Sequence, residues 1–352
     1  MALVQSKKET YVIAEIGQNH NGDINIAKKL IDQIDRFTYD EHTGDRYNKC
    51  NGIKLTKRDL DEELSKEGME RPYTGPNSFG PTYGEHREFL ELTYEEHAEL
   101  GNYIKSKGFE FVQTLCSVKT LKLLDMVEVD QIKVASRDLT NIPLIEALAM
   151  RPEPVILSTG MADENDLQTV IDIFNSNNKL NVSILHCISQ YPAEYTNLNL
   201  NSIHWLKERY ENIIGYSDHS IGTHIPVAAV AMGADIIEKH VTLDTSMKGT
   251  DHKGSADMNT FHQMMHDIRS LEFSMGKKEM FRHESVSAAK EKLERSLALN
   301  VDLNVGDTIK QEHLHMISPG NGYKWQDRND FVGRMVNRNV LKNTLLTDGL
   351  FY

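Results

Sequence analysis

Two histidines stand at the ends of two successive apolar runs, beside groups that could bind a metal or move a proton. IIGYSDHSIG, which begins at Ile213, carries His219, and DIIEKHVT, which begins at Asp235, carries His240. A lone histidine there is usually structural, but imidazole is also the most common metal ligand. Two histidines at one site, with positions left open, would suit a divalent cation that also binds water and substrate. Asp251 could hold a metal-bound water, or it could simply belong to a turn.

Two lysines lie inside otherwise apolar runs, Lys54 in GIKLTK and Lys133 in QIKVAS. A buried ammonium group needs a carboxylate partner or a bound anion, because burying it unpaired is costly. Glu15 and Asp138 are the carboxylates that could pair with these lysines. The alternative is a bound phosphate or carboxylate, held by the lysines and nearby hydroxyl groups. The candidate residues for this anion site are Lys54, Thr114, Lys133, Ser136, Ser158, Ser189 and Ser217.

A carboxylate completes this set of groups. Glu15 ends the run YVIAEIG and could serve as a general acid or base near the metal and the lysines. A divalent metal, an anion site and a proton-transfer carboxylate together suit the joining of a phosphorylated three-carbon unit to an aldehyde, whose oxygen the metal would polarise. Spacing alone does not identify the substrates.

A closed barrel is the architecture that would bring these residues together. We count eight short apolar or β-branched runs, and segments with helical spacing alternate with them. This alternation predicts an α/β protein with a (β/α)₈ barrel, although an open doubly wound sheet is the rival. The active site of such a barrel lies at the carboxyl ends of its strands, where all eight runs carry polar residues. No nucleotide-binding glycine motif follows a strand.

Two further regions stand outside the alternation. The stretch between Lys57 and Thr93 is long and rich in charge, glycine and proline, as lids and binding loops often are. After the barrel, short β-like pieces alternate with turn signals. We therefore predict a barrel domain at residues 1–282, a linker at residues 283–294 and a small β-rich domain at residues 295–352.

Composition excludes several classes of protein. The chain has 352 residues, 39% of them hydrophobic, and a formal net charge of −13, which disfavours nucleic-acid binding and docking on anionic membranes. Three cysteines give no disulfide framework. The first residues lack the apolar core of a signal peptide, and no run approaches the length of a membrane span. The expectation is a cytoplasmic enzyme.

Several long motifs make the chain similar to one known family. YVIAEIGQNHNGD, RPYTGPNSFGPTYGEHREFLE, IKVASRDLTNIPLIE, VILSTGM, LHCISQYPA, IGYSDHSIG, IIEKHVTLDTSMKGTDHKGS and SPGNG occur in this order. They resemble the sialic acid (N-acetylneuraminate) synthase family over nearly the whole chain. The C-terminal segment is similar to that family's antifreeze-like (SAF) domain.

This resemblance implies a reaction. Enzymes of this family condense phosphoenolpyruvate with an open-chain N-acylated hexosamine, typically N-acetylmannosamine or its 6-phosphate. The products are a nine-carbon 2-keto acid and inorganic phosphate. A Mn²⁺ or Mg²⁺ ion organises the aldehyde, and the family forms a domain-swapped homodimer.

The resemblance also implies roles for individual residues. His219 and His240 would bind the metal, and Glu15 would be the catalytic carboxylate at the reacting carbons. Lys54 and Lys133, with the hydroxyl residues named above, would hold phosphoenolpyruvate. The residues that would face the sugar or the metal-bound water are Asp138, Tyr191 and Asp251.

The chain departs from the family pattern at two positions. Many bacterial members have glutamine where this chain has Thr56, two residues after Lys54. They have arginine where this chain has Ser318, before the P-G-N-G motif. That arginine belongs to the partner subunit's SAF domain and contacts the N-acyl group of the sugar. Lys324 and Arg328 are the cationic residues that could substitute for it.

Other functions remain open at this stage. Legionaminate and pseudaminate synthases, which use 2,4-diacetamido sugars, belong to the same class. A metal-dependent hydrolase on the same barrel usually needs more metal ligands than two histidines and gives the lysines no function. A non-catalytic sugar-binding barrel would be expected to lose some of the residues that this chain retains.

Overall fold

The computed structural model describes residues 9–37 and 49–352. The chain divides into two compact units, Met1–Gly276 and Lys277–Tyr352. The first eight residues of the predicted barrel domain lie outside the described residues. The predicted linker at residues 283–294 falls within the second unit and contains a short helix there.

The first unit is a closed barrel of eight parallel strands in chain order, in which β8 pairs with β1. The predicted (β/α)₈ fold is therefore confirmed. Its strands are β1 (Tyr11–Gly17), β2 (Gly52–Lys57), β3 (Glu110–Leu115), β4 (Gln131–Val134), β5 (Val155–Ser158), β6 (Val182–Cys187), β7 (Ile213–Asp218) and β8 (Ile236–His240).

Helices surround the barrel and occupy its long insertion. The three insertion helices are α2 (Leu60–Glu63), α3 (Lys66–Glu70) and α4 (Tyr83–Leu90). The helices that connect strands are α1 (Ile24–Phe37), α5 (Tyr94–Ser106), α6 (Ile142–Ala149), α7 (Glu164–Ser176), α8 (Ser202–Arg209), α9 (His224–Ala231) and α10 (Met258–Ser274). The insertion predicted as a loop thus has helical structure of its own.

One connection differs from the expected helix. The segment between β3 and β4 forms 3₁₀ turns over Lys119–Asp125 instead of an α-helix. The Thr120 hydroxyl donates to the carbonyl oxygen of Ser117 at 2.6 Å, and this local bond favours the tighter turn.

Local sequence sets where the helices begin and end. Thr93 and Glu96 form a capping box at the start of α5, which satisfies two backbone N–H groups that the helix leaves unpaired. Gly108 follows the end of α5 at φ +75°, a left-handed conformation that glycine adopts without steric cost.

The barrel interior has an apolar layer beneath a polar one. Ile13, Val112 and Ile156 pack together inside the barrel, with Leu185 and Ile236. Because side chains alternate between the two faces of a strand, the residues two positions further along also point inward. These residues include Glu15, Thr114 and Ser158. The alternation of side chains along the strands therefore places a layer of inward-facing polar residues at their carboxyl ends, which we call the polar floor.

The second unit has its own small core. It contains α11 (Ser287–Leu293) and the antiparallel strands β9 (Ser296–Leu299) and β10 (Leu314–Ile317). Isolated bridges such as Leu303–Val340 extend the β pairing. The predicted β-rich character is confirmed. Its buried core residues are Leu297, Leu299, Leu303, Ile309, Leu314, Phe331, Val336, Val340, Leu346, Leu350 and Phe351.

Candidate active site

A cavity of about 520 Å³ opens at the carboxyl ends of the barrel strands. Its walls contain nearly all the residues that the sequence predicts for the site. Those residues are Glu15, Lys54, Thr114, Lys133, Ser136, Ser158, Ser189, Tyr191, Ser217, His219, His240 and Asp251. Another cavity, of about 600 Å³ and lined partly by Glu9 and Arg269, contains none of them.

Lys54 lies between two buried carboxylates. Its Nζ is 2.7 Å from Glu15 Oε2 and 3.0 Å from Glu238 Oε1. Strand register explains the first contact, since Glu15 lies opposite Lys54 on one side and opposite His240 on the other. Burial lowers the pKa of Lys54 to about 8; the Glu238 carboxylate opposes this, and the charge of Lys133 reinforces it.

Glu238 is a site residue that the sequence interpretation missed. It lies two residues before His240 on β8, and Ser217 Oγ donates to it at 3.0 Å. Burial opposes its ionisation, but the charges of Lys133 and Lys54 lower the pKa of Glu238 to about 2. Period-two alternation could have identified it, because an inward-facing His240 implies an inward-facing Glu238.

Lys133 is held by neutral groups. Its Nζ donates to Ser158 Oγ at 2.6 Å and to the carbonyl oxygen of Val134 at 3.1 Å. Within the described part of the chain no carboxylate forms an ion pair with it. An ammonium group in this position suits a bound anion, whose charge would offset the cost of burial.

Asp138 lies elsewhere. Its carboxylate pairs with Arg137 Nε at 3.2 Å, and the residue lines a neighbouring cavity of about 400 Å³ with Glu63 and Cys116. The alternative in which Asp138 pairs with Lys133 is therefore wrong. Asp138 is the last residue of the short 3₁₀ turn after β4, and its side chain does not line the cavity that Lys133 lines.

The two histidines are close together. Their ring centroids are 5.3 Å apart, and the Tyr191 ring packs 4.0 Å from His219 and 5.7 Å from His240. The Nδ1 atom of His240 is buried and has no hydrogen-bond partner among the described residues. Burial lowers the pKa of His240 to about 3, so its imidazole is neutral and can donate a lone pair to a metal.

His219 has a fixed ring orientation. Its Nδ1 lies 2.7 Å from the carbonyl oxygen of Ile188, so it donates there and leaves Nε2 available as a ligand. Burial alone would lower the pKa of His219, but the Cys187 thiol, 3.9 Å from Nδ1, raises it.

These observations fit a metal with only two protein ligands. Among residues 9–37 and 49–352 no group of three His, Cys, Asp or Glu side chains is arranged to hold an ion by itself. A metal in this cavity would be held by His219 and His240, because their rings adjoin and His240 Nδ1 has no partner in these ranges; positions would remain for water and substrate.

The insertion also contributes to the cavity. Tyr73, Asn77, Tyr83 and Arg87 line it above the strand ends. Sequence patterns predict a binding loop here but do not indicate which of its side chains face the site. The lining also includes Gln18, which comes from the turn after β1.

The two residues that depart from the family pattern make local contacts. Thr56 lines the cavity, and its hydroxyl lies 3.4 Å from Glu15 Oε1. In the second unit, Ser318 Oγ donates to the carbonyl oxygen of Leu293 at 3.0 Å. Lys324 pairs with Glu294 at 3.0 Å, and the Arg328 guanidinium stacks over Trp325.

Family models match both units. The model described as the NeuB family matches residues 46–280, and the SAF domain model matches residues 294–351. No helix in the described ranges is both long enough and apolar enough to span a bilayer.

Individual relatives agree with these matches. An N-acetylneuraminate-9-phosphate synthase of Mus musculus is 33% identical over 95% of this chain and 90% of its own length. An N,N'-diacetyllegionaminic acid synthase of Legionella pneumophila is 32% identical over 97% of this chain and 94% of its own length. The crystal structure of an N-acetylneuraminic acid synthetase from Leptospira borgpetersenii, solved with citrate, is 31% identical with a TM-score of 0.68. That similarity covers 80% of this chain and 90% of the other.

Proposed function

The chain belongs to the NeuB family, and from that membership and its cavity we propose that it condenses phosphoenolpyruvate with an N-acylated hexosamine. The acceptor is N-acetylmannosamine or its 6-phosphate, and the product is N-acetylneuraminate or its 9-phosphate. The observation that carries this proposal is the burial of Lys54, Lys133 and Glu15 in one cavity with the histidine pair.

The donor subsite follows from the charges. Phosphoenolpyruvate carries a phosphate and a carboxylate, and the polar floor offers two ammonium groups. Hydroxyl groups of Thr114, Ser158 and Ser217 are buried beside them, and the Thr114 hydroxyl has no partner among the described residues. Charge-assisted hydrogen bonds from Lys133 would offset the burial of its ammonium group.

The reaction balances without any redox partner. Carbon 3 of the enolpyruvate attacks the aldehyde carbon, whose oxygen takes up a proton and becomes a hydroxyl. Water adds at carbon 2, and phosphate leaves as its bond to that carbon breaks, giving the 2-keto acid. A Mn²⁺ or Mg²⁺ ion held by His219 and His240 would supply electrophilic polarisation of the aldehyde.

Glu15 is the group we assign to proton transfer. Its carboxylate lines the cavity and lies at the level of His240 across the β1–β8 pair. Its Oε2 atom lies 2.7 Å from Lys54 Nζ, and we assign this carboxylate to accept the proton of the attacking water.

The test is phosphate release from phosphoenolpyruvate. Purified protein with Mn²⁺ is offered N-acetylmannosamine, its 6-phosphate and the 2,4-diacetamido hexoses. Release that requires N-acetylmannosamine or its 6-phosphate and disappears on chelation is the expected result, whereas release with a diacetamido hexose alone would overturn the proposed acceptor. The panel includes the diacetamido sugars because legionaminic acid synthases are similar to this chain to the same degree.

A pair of lysine variants controls for nonspecific damage. Lys133→Met removes one of the two lysines of the polar floor, whereas Lys179→Met removes a buried lysine that contacts the carbonyls of Arg151 and Glu153 away from the cavity. Loss of turnover in the first variant only supports the assignment. No release with any sugar, from folded protein loaded with metal, would rule out the proposed function.

A further inference from the structure

The cavity contains more cations than the donor requires. Beyond the two lysines of the polar floor, three arginines line it. They are Arg58, Arg87 and Arg137. Two of them are neutralised locally, because Arg58 Nη1 lies 3.3 Å from Glu91 Oε1 and Arg137 Nη2 lies 3.0 Å from Glu63 Oε2.

Arg87 is the exception. Its Nη1 donates to Gln18 Oε1 at 2.7 Å, and its Nε donates to the Tyr83 hydroxyl at 2.8 Å. Across residues 9–37 and 49–352, no carboxylate forms an ion pair with this guanidinium group. Burial lowers the pKa of Arg87, and the charges of Arg58 and Arg137 act in the same direction. The site is therefore electrostatically prepared for an anion.

Further donors face the same region. The Nε2 atom of Gln18 is buried and has no hydrogen-bond partner among the described residues. The Nε atom of Arg58 also forms no hydrogen bond there, although Glu63 Oε2 lies 4.0 Å from it. Buried donors normally have partners, so two orphaned N–H donors beside an uncompensated guanidinium indicate a ligand that accepts hydrogen bonds.

The position of Arg87 separates it from the donor subsite. It lies on α4 of the insertion, whereas Lys54 and Lys133 lie in strands at the floor. Asp251 and Tyr191, which the resemblance assigns to the sugar, line the same cavity. The position of Arg87 above the strand ends places it beyond the floor that would hold phosphoenolpyruvate.

We propose that Arg87, with Gln18 and Arg58, binds a phosphate at the end of the acceptor sugar remote from its aldehyde. The preferred acceptor is then an N-acylhexosamine 6-phosphate, and the product is a 9-phosphate. This inference rests on the proposed function. It selects between two acceptors that the sequence leaves open, and it gives the uncompensated charge of Arg87 a partner.

The test compares two acceptors and three proteins. Wild-type enzyme should show a kcat/KM at least about 100-fold higher for N-acetylmannosamine 6-phosphate than for N-acetylmannosamine. Arg87→Gln should raise the KM for the phosphorylated sugar about 10- to 100-fold, because a charged hydrogen-bond donor to phosphate is lost. The loss should be smaller for the unphosphorylated sugar, and the KM for phosphoenolpyruvate should be retained. Arg87→Lys, which keeps the charge, should restore part of the preference.

Arg71→Gln is the matched control. Arg71 is exposed, stacks over the Tyr83 ring at 4.7 Å and does not line the cavity. It lies in the same insertion and reaches the subsite only through the Tyr83 ring, so its substitution removes the same charge but keeps the Tyr83 hydroxyl to which Arg87 donates. Both acceptors should be used by this variant as they are by the wild type.

Calorimetric titration with the sugar phosphate gives a readout that does not depend on turnover. Binding to wild type that weakens in Arg87→Gln supports the subsite even if no acceptor is converted, in which case only the proposed function fails. Turnover of the unphosphorylated sugar alone overturns the subsite and leaves the proposed function intact. A raised KM for phosphoenolpyruvate in Arg87→Gln would assign Arg87 to the donor and also overturn it.

Discussion

Lys54, which lies between two buried carboxylates, should lose its proton within the pH range in which the enzyme can be assayed. Burial lowers the pKa of Lys54 from 10.5 to about 8, so above pH 8 the folded protein holds it as a neutral amine. We expect the KM for phosphoenolpyruvate to be flat below pH 8 and to rise roughly tenfold per pH unit above it. Initial rates with Mg²⁺ between pH 6.5 and 9.5 measure this dependence.

The control for this prediction is the pH dependence of the KM for the sugar. The KM for the sugar should not show the same inflection, because Lys54 is assigned to the donor. A KM for phosphoenolpyruvate that stays constant to pH 9.5 would mean that Lys54 keeps its proton or does not contact the donor.

Glu15 offers a second prediction at the residue scale. Glu15→Gln keeps the shape of the side chain but removes its charge and its ability to accept a proton. Turnover should fall about 10²- to 10⁴-fold while the circular dichroism spectrum stays unchanged. Glu110→Gln, at the exposed start of β3, is the matched control and should keep the wild-type rate. Phosphate release from a Glu15→Gln enzyme within a few-fold of wild type would refute its assignment to proton transfer.

Single residues also show where inference from sequence ends. Glu15, Lys54 and both histidines could be identified because each ends or interrupts an apolar run. Glu238 was missed because it lies beside Lys239, and charge alone does not tell which of two neighbours faces inward. Arg87 could not be found, since its place in the cavity depends on how the insertion folds over the strands.

At the scale of elements, β7 and β8 are joined by an ion pair on their outer faces. Asp218 and Lys239 lie opposite each other in the register, and Asp218 Oδ2 is 2.6 Å from Lys239 Nζ. Their side chains are 0% and 1% exposed. Because His219 and His240 follow these two residues directly, the pair fixes the strand ends that carry the histidines.

Removing one member of this pair should destabilise the barrel strongly. Lys239→Met leaves the Asp218 carboxylate buried without its cation, and we expect a loss of about 3–5 kcal/mol in the free energy of unfolding. Lys207→Met breaks the more exposed pair with Asp235 and should cost at most about 1 kcal/mol. Urea unfolding followed by circular dichroism compares them. Equal losses would show that the buried pair has no special role.

The strand pattern was the most predictable part of the fold. Buried parallel strands are nearly continuous in apolar residues, so their number and their polar ends can be read from the chain. The sequence determines the structure of the segments between strands less fully. The run after β3 has helical spacing but forms 3₁₀ turns, because a side-chain bond from Thr120 competes with the α-helical pattern.

At the scale of the whole molecule, net charge and cavity charge have opposite signs. The chain carries a net −13, yet its cavity contains two cationic groups, Lys133 and Arg87, that no carboxylate pairs with in the described ranges. Net charge governs solubility and nonspecific association, whereas substrate binding follows the local field inside a cleft. An acidic protein is therefore compatible with two anionic substrates.

The last prediction concerns assembly. The resemblance implies a homodimer, and the stretch around the boundary between the two units exposes several large apolar side chains. These are Phe273, Met275, Met280, Phe281 and Leu293. The first two belong to the first unit and the other three to the second. Large exposed apolar side chains in each unit are candidate contacts with another chain. We expect a second copy of the chain to cover them, so light scattering should give twice the mass of one chain.

Variants can test the surface itself. Met280→Asp combined with Phe281→Asp should shift the protein toward monomer, because burying carboxylates in an apolar interface is costly. Leu180→Asp, at an exposed apolar residue between α7 and β6, should remain dimeric. A wild-type protein with the mass of a single chain at micromolar concentration would contradict the dimer. A double variant that stays dimeric would instead place the contact on another surface, and these apolar side chains would then need a different explanation.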